Sequence, residues 1–165
     1  MAAKVEFQDF SIQVKEALEG AAIQWLEEAS NELQSQAIRN SEFSTDVKNN
    51  WKHVVDESKQ VATIGNTLEL AIWTELGTGE YALEGKGRKG YWVYVKGNSS
   101  VKESQPGRAR TLEEAKRAVA ILRDQGLEAY YTKGQRPRRM LHNAFESKKA
   151  AIIRRAEQVF KGRLK

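Results

Sequence analysis

The stretch TLEEAKRAVAILRDQGLEAYYT, Thr111 to Thr132, decides the fold class. Thr111 and Glu114 have the spacing at which a threonine hydroxyl and a glutamate carboxylate each satisfy the other's backbone donor, so a helix starts there. Its apolar stripe is Leu112, Ala115, Val119 and Leu122. Gly126 sits where a left-handed cap ends a helix, and Leu127 to Thr132 reads as a returning strand. Upstream, Tyr91 to Lys96 alternates as a strand does, with Trp92 and Tyr94 on one face and Tyr91, Val93 and Val95 on the other. Together these segments make a strand-helix-strand unit over 91–131.

Outward from that unit the chain turns helical at both ends. From Ser11 to about Asn40, Val14, Leu18, Ala22, Trp25, Leu26, Ala29, Leu33 and Ile38 recur at spacings of three and four, which predicts one long amphipathic helix capped by Ser11. The polar residues Asn40 to Asp46 read as the loop that ends it. A last helix is expected from about Arg138 toward Lys161, burying Leu141, Phe145, Ile152 and Val159. Between them, Trp51 to Asp56 and Gln60 to Ile64 read as two strands, with Gly65 and Asn66 as a turn. Leu68 to Leu76 is too short an apolar run to fix its own period, so strand and buried helical turn both stand. The fold class is α+β: the first and last helices packed on a small, mostly antiparallel sheet. At 165 residues one domain spanning 1–165 is expected, with 91–131 as an insertion.

Composition limits the chemistry. Cysteine is absent, which excludes disulfides, thiol nucleophiles and cysteine-based zinc sites. Met1 to Phe10 lacks the basic-then-apolar order of a secretory signal, and no apolar run approaches the roughly 20 residues a bilayer-spanning helix needs. A soluble chain that is not exported and has no membrane contact is therefore expected. The net charge of +5 hides an asymmetry: Lys133 to Lys165 holds 11 Lys or Arg against 2 acids, whereas Met1 to Glu32 holds 2 against 7. Such polarity suits head-to-tail contact between copies, docking of the two terminal helices on each other, or nucleic acid.

The sequence approaches two nucleotide-binding patterns and completes neither. Gly77 to Ala82 fits G-x-G-x-x-A, yet a dinucleotide site needs a helix immediately afterward, and Gly85, Gly87 and Gly90 would spoil one. Gly79 to Gly85 is one residue too wide for a phosphate loop, and Gly87 stands where a Ser or Thr would hold magnesium. His53 and His142 are far apart in sequence, with no local carboxylate arrangement around either. Neither a catalytic residue, a cofactor nor a metal is expected. The five glycines and three basic residues between Gly77 and Gly90 favour a mobile or partner-ordered loop. Clustered cations at Lys133, Arg136, Arg138 and Arg139 give the strongest binding signal, with Tyr130 and Tyr131 beside them.

Three segments, in this order, resemble the bacteriophage tail-completion or head-tail joining family, the minor tail protein Z-like neck proteins. Thr45, Asp46, Val47, Lys48, Asn49, Asn50, Trp51 after a long acidic helix is similar to the family's D-T-G-x-L-x-x-S, with Val47 where glycine is usual. Trp73, Thr74, Glu75, Leu76, Gly77, Thr78, Gly79 is similar to V-E-F-G-T-G. Lys133, Gly134, Gln135, Arg136, Pro137, Arg138, Arg139, Met140, Leu141, Ala144, Phe145 is similar to the G-x-x-P-x-P-F-L-x-x-A-F that opens the family's last helix. The insertion at 91–131 is also loosely similar to half of a SPOR-type peptidoglycan-binding domain, a common packing solution.

The resemblance implies a non-enzymatic structural protein that completes the tail or joins it to the head. It further implies copies assembled in a ring, six being the expected number, in a bacterial host's cytoplasm and then in the neck of the particle. Implied partners are tail terminator, tail tube or connector proteins, with DNA close by in the channel. The residues expected at a subunit or partner interface are Glu75, which would anchor the turn, Gly77, Thr78, Gly79, Lys133, Arg136, Arg138 and Arg139. The alternative is a nucleic-acid-binding module that uses the basic final helix.

Overall fold

A computed structural model describes residues 11–96 and 108–163. The segment Met1 to Phe10 and the polar loop through Pro106 lie outside those residues, and the expected cap at Ser11 falls at their edge. The helices are α1 (Ser11–Arg39), α2 (Thr45–Asn49), α3 (Glu69–Leu76), α4 (Leu112–Asp124) and α5 (Met140–Arg163). The strands are β1 (Trp51–Asp56), β2 (Val61–Asn66), β3 (Tyr91–Val95), β4 (Arg108–Ala109) and β5 (Ala129–Thr132). The class is α+β. There are two small antiparallel sheets, β1-β2 and, around the strand-helix-strand unit, β4-β3-β5. The chain divides into two compact units, Met1–Thr67 with Met140–Lys165, and Leu68–Arg139, so the second reaches well beyond the 91–131 insertion.

In the first unit α1 and α5 pack antiparallel, and the charge asymmetry of the sequence is spent on that pairing. Arg155 grips both carboxylate oxygens of Glu28, with Nη2 to Oε1 at 3.1 Å, and Lys148 pairs with Glu32. Trp25 Nε1 donates to the Ile152 carbonyl at 3.2 Å between those pairs. Met140, Ala144 and Val159 are the buried residues of α5, while Phe145, expected inside, is exposed; its place is taken by the smaller Ala144. Val14 and Leu18 of α1 are likewise exposed, and Ala21, Ser30 and Ala37 are buried instead.

The Arg155 grip has a consequence in acid. Hydrogen bonds from Arg155 first, and then from Gln24, hold the Glu28 carboxyl at about 2, against an ordinary 4.5. A folded-state value below the unfolded one means the pair's contribution is present above about pH 4.5 and is lost as pH falls toward 2. Thermal melts from pH 2 to 7 are expected to show a shallower acid loss in Glu28→Gln than in the wild type; parallel curves would refute the assignment.

The β1-β2 hairpin lies against α1, where Gln34 Nε2 donates to the Trp51 carbonyl at 3.0 Å. Its register runs from Trp51↔Asn66 to Asp56↔Val61. The reversal is therefore at Glu57 to Gln60, between the two expected strands, and Gly65 and Asn66, expected as a turn after the second, extend it by pairing with Lys52 and Trp51. That reversal is closed by the Asp56 carboxylate, which accepts from Ser58 Oγ at 2.6 Å, the Lys59 amide at 3.1 Å and Lys59 Nζ at 2.8 Å. A carboxylate that bonds the backbone and side chains one to three residues on favours such a turn. Asn66 Nδ2 instead donates to the Val47 carbonyl at 2.7 Å, tying β2 to α2, a short helix capped by Ser44 where a loop was expected.

In the second unit α4 covers one face of the three-stranded sheet. Val93, Ala109, Ala115, Val119 and Ala129 form its core, flanked by Tyr91, Val95, Ala118 and Leu122. The expected capping box is present: Thr111 Oγ1 accepts from the Glu114 amide at 3.2 Å, and Glu114 Oε2 accepts from the Thr111 amide at 3.4 Å. At the other end Gly126, at φ 79°, lets its own amide reach the Arg123 carbonyl and the Leu127 amide reach that of Leu122. These two bonds make the Schellman closure, and they turn the chain straight into β5.

Candidate interaction site

The apolar run after Thr67 resolves as a helix, α3, because it has one buried side: Ala71 and Thr74 are inside, three residues apart. The rest of it is left to solvent. Leu70, Ile72, Trp73 and Leu76 are each about half exposed, with exposures of 49%, 51%, 48% and 47%. Four large apolar side chains on an eight-residue helix form an uncovered patch of the sort that marks interaction surfaces.

α3 ends at Gly77, where φ is 74° and a Cβ would come within 2.8 Å of Pro137 Cδ. From that point the chain runs against the segment before α5. The Thr78 amide donates to the Gln135 carbonyl at 2.9 Å, and the Gln135 amide donates back to Thr78 Oγ1, also at 2.9 Å. The Glu80 amide donates to the Lys133 carbonyl at 2.9 Å, and the Arg138 amide to the Thr74 carbonyl at 2.8 Å. Four bonds thus weld residues 74–80 to residues 133–138. Glycine is required where the two strands of chain touch: a Cβ on Gly79 would overlap the Lys133 carbonyl, one on Gly134 the Thr78 carbonyl, and one on Gly87 the Gly79 carbonyl. The arm expected to wait for a neighbouring subunit is held by its own chain, because its glycines permit backbone-to-backbone packing.

One charged pair completes the junction. Lys133 Nζ lies 3.1 Å from Glu80 Oε2 and 4.8 Å from the centre of the Tyr91 ring, and Glu80 Oε1 accepts from the Gly90 amide at 3.3 Å. The Lys133 hydrogen bond holds the Glu80 carboxyl below its usual range, and Glu80 in turn raises the ammonium of Lys133. Glu80, which sequence reasoning did not single out, is the carboxylate tied across to the second segment; Glu75, half-buried on α3, is not the one that pairs with Lys133. Only proximity to the Gly-Thr-Gly turn could have flagged Glu80, since its partner lies 53 residues away.

Of the expected site residues, Gly77, Thr78, Gly79 and Lys133 meet at the junction. Arg136 is exposed, its guanidinium 5.0 Å from the centre of the Tyr81 ring. Arg138 joins the turn through its backbone, and Arg139 takes a left-handed φ of 52° just before α5 starts. After Gly77-Thr78-Gly79 come two 3₁₀ turns, Gly79–Tyr81 and Leu83–Gly85, and the amides of Thr78 and Glu80 are already engaged with carbonyls. His53 has a carboxylate oxygen of Glu27 of α1 at 3.3 Å. Among the described residues no three His, Asp or Glu groups converge on a metal-sized point, and no helix is long and apolar enough to cross a membrane.

The units differ in charge. The segment 68–139 carries 14 Lys or Arg against 9 Asp or Glu, while the remaining residues balance at 13 against 13. The whole excess of +5 therefore belongs to the unit that carries the junction. No family model, curated protein or solved structure matches this chain.

Proposed function

We propose that the chain is a structural neck subunit of a tailed phage or phage-like tail particle, which completes the tail and joins it to the head or connector by assembling in a ring. One observation carries the reading. The two stretches that most resemble the tail-completion family, Trp73 to Gly79 and Lys133 to Phe145, are brought together by the bonds of Thr74, Thr78 and Glu80 to Arg138, Gln135 and Lys133. Segments so far apart in sequence form one corner, whose first part carries the exposed apolar residues of α3 and whose second carries exposed Arg136. An exposed apolar patch suits a repeated protein contact, and a heterologous contact closes into a ring when its rotation permits. The alternative use of the basic final helix is weaker, because Lys148 and Arg155 are engaged by Glu32 and Glu28.

Coexpression with tail terminator, tail tube and connector proteins tests the reading. The wild-type chain is expected to copurify with them as a ring and to be present in finished particles. Trp73→Asp, on the uncovered side of α3, and the double reversal Arg136→Glu with Arg138→Glu are expected to keep the melting temperature within a few degrees while ring recovery falls at least about tenfold. A chain that stays monomeric beside those partners and is missing from particles would overturn the proposal.

A further inference from the structure

The sheet of the second unit has a face that α4 does not cover. Trp92 and Tyr94 of β3 point to that side, and register places Thr132 beside Trp92 and Tyr130 beside Tyr94. The Tyr94 and Tyr130 rings stack, with centroids 5.7 Å apart and planes at 29°, and Tyr94 stays 47% exposed. Guanidinium groups border these rings: Arg88 lies 5.2 Å from the centre of Trp92 and Arg123 5.5 Å from that of Tyr130. At the Trp92 end, Gly79 passes against the indole, and Arg136 sits over Tyr81 two residues on. Arg88 and Arg136 make no ion pair with a described carboxylate, and Arg88 Nε and Nη2 are buried with no acceptor. Glu128, the carboxylate at the Tyr94 end, is held by the Tyr130 hydroxyl at 2.5 Å and by Lys96 Nζ at 3.3 Å.

We infer that this face binds single-stranded nucleic acid, with bases stacked on Tyr94 and Trp92 and phosphates met by Arg88, Arg123 and Arg136. Three observations select that ligand. Aromatic residues two apart on one strand are about 6.8 Å apart, a step that suits successive bases of an extended strand. Stacking needs bases that are not paired, so a duplex cannot use the exposed Tyr94 ring. The unit's surplus of 14 cations over 9 acids complements a polyanion, and it gives no such advantage to a neutral glycan. The inference does not rest on ring assembly, since one copy supplies every residue named.

Anisotropy of a labelled 12-nucleotide oligothymidine titrated with the full-length chain is the test. Saturable binding in 50 mM salt is expected, weakening about 20-fold by 200 mM if roughly three counter-ions are released. Tyr94→Ala and Tyr94→Leu, the second of which keeps apolar bulk without a ring, are each expected to bind about 10-fold more weakly, within the roughly 5- to 150-fold range of one lost stack. Tyr94→Phe should stay within about twofold of wild type, because the ring is retained. Absence of saturable binding, unchanged affinity in both ring-less variants, equal affinity for a duplex of the same sequence, or preference for a chitin oligosaccharide over the oligonucleotide would each overturn the inference.

Discussion

Gly79→Ala is expected to cost the folded state more than about 4 kcal/mol, and to lower the melting temperature by about 10 °C or more. Two penalties add. The residue sits at φ 61°, where any Cβ is strained by about 1–2 kcal/mol. The new methyl would also overlap the Lys133 carbonyl oxygen and lie 2.7 Å from Trp92 Cη2, so the weld between the turn and the segment before α5 would have to open. Opening it exposes the Thr78 and Glu80 amides together with their acceptors. Gly85→Ala is the control: its φ of 67° is just as left-handed, but nothing lies within 4 Å of the added methyl. A loss of only about 1–2 kcal/mol is expected there. Urea denaturation of both variants separates steric closure from backbone strain, and equal losses would refute the close approach.

The contrast between those two glycines shows what a sequence can and cannot disclose. Features closed within a few residues were legible: the Thr111–Glu114 box, the Gly126 cap and the alternation of Tyr91 to Val95 all stand where local spacing put them. The second strand runs past its expected end because Gly65-Asn66 is only a generic turn signal, and both residues pair in the ladder with Lys52 and Trp51. The period of Leu68 to Leu76 was undecided in sequence and is settled by tertiary packing on Ala71 and Thr74. Charge polarity between the ends was legible as polarity, but its use was not, since only the α1-α5 register puts Glu28 against Arg155. The self-contacts of the glycine arm are hidden for the same reason. A glycine-rich composition looks flexible until its partner backbone, here some 55 residues downstream, is in view.

Trp51→Ala is expected to destabilise the unit that contains α1 and α5 by about 3–5 kcal/mol. The indole is 5% exposed, and its Nε1 donates to Ser41 Oγ at 2.9 Å. That hydroxyl is itself fully buried, donating to the Ala37 carbonyl at 2.7 Å and lying 3.3 Å from Met140 Sδ. Asn40 Nδ2 reaches the Met140 carbonyl at 2.8 Å beside it. The end of α1, the first residue of β1 and the first residue of α5 thus meet around one side chain, so its removal leaves a cavity at the point where three distant segments close. Trp51→Phe keeps most of the apolar volume and removes the donor, so about 1–2 kcal/mol is expected. Trp73→Ala, from the half-exposed indole of α3, should cost less than about 1 kcal/mol. The order Ala at 51, Phe at 51, Ala at 73 in urea midpoints is what the packing requires. A Trp51→Ala midpoint close to that of Trp73→Ala would mean that the three segments are not held together at Trp51.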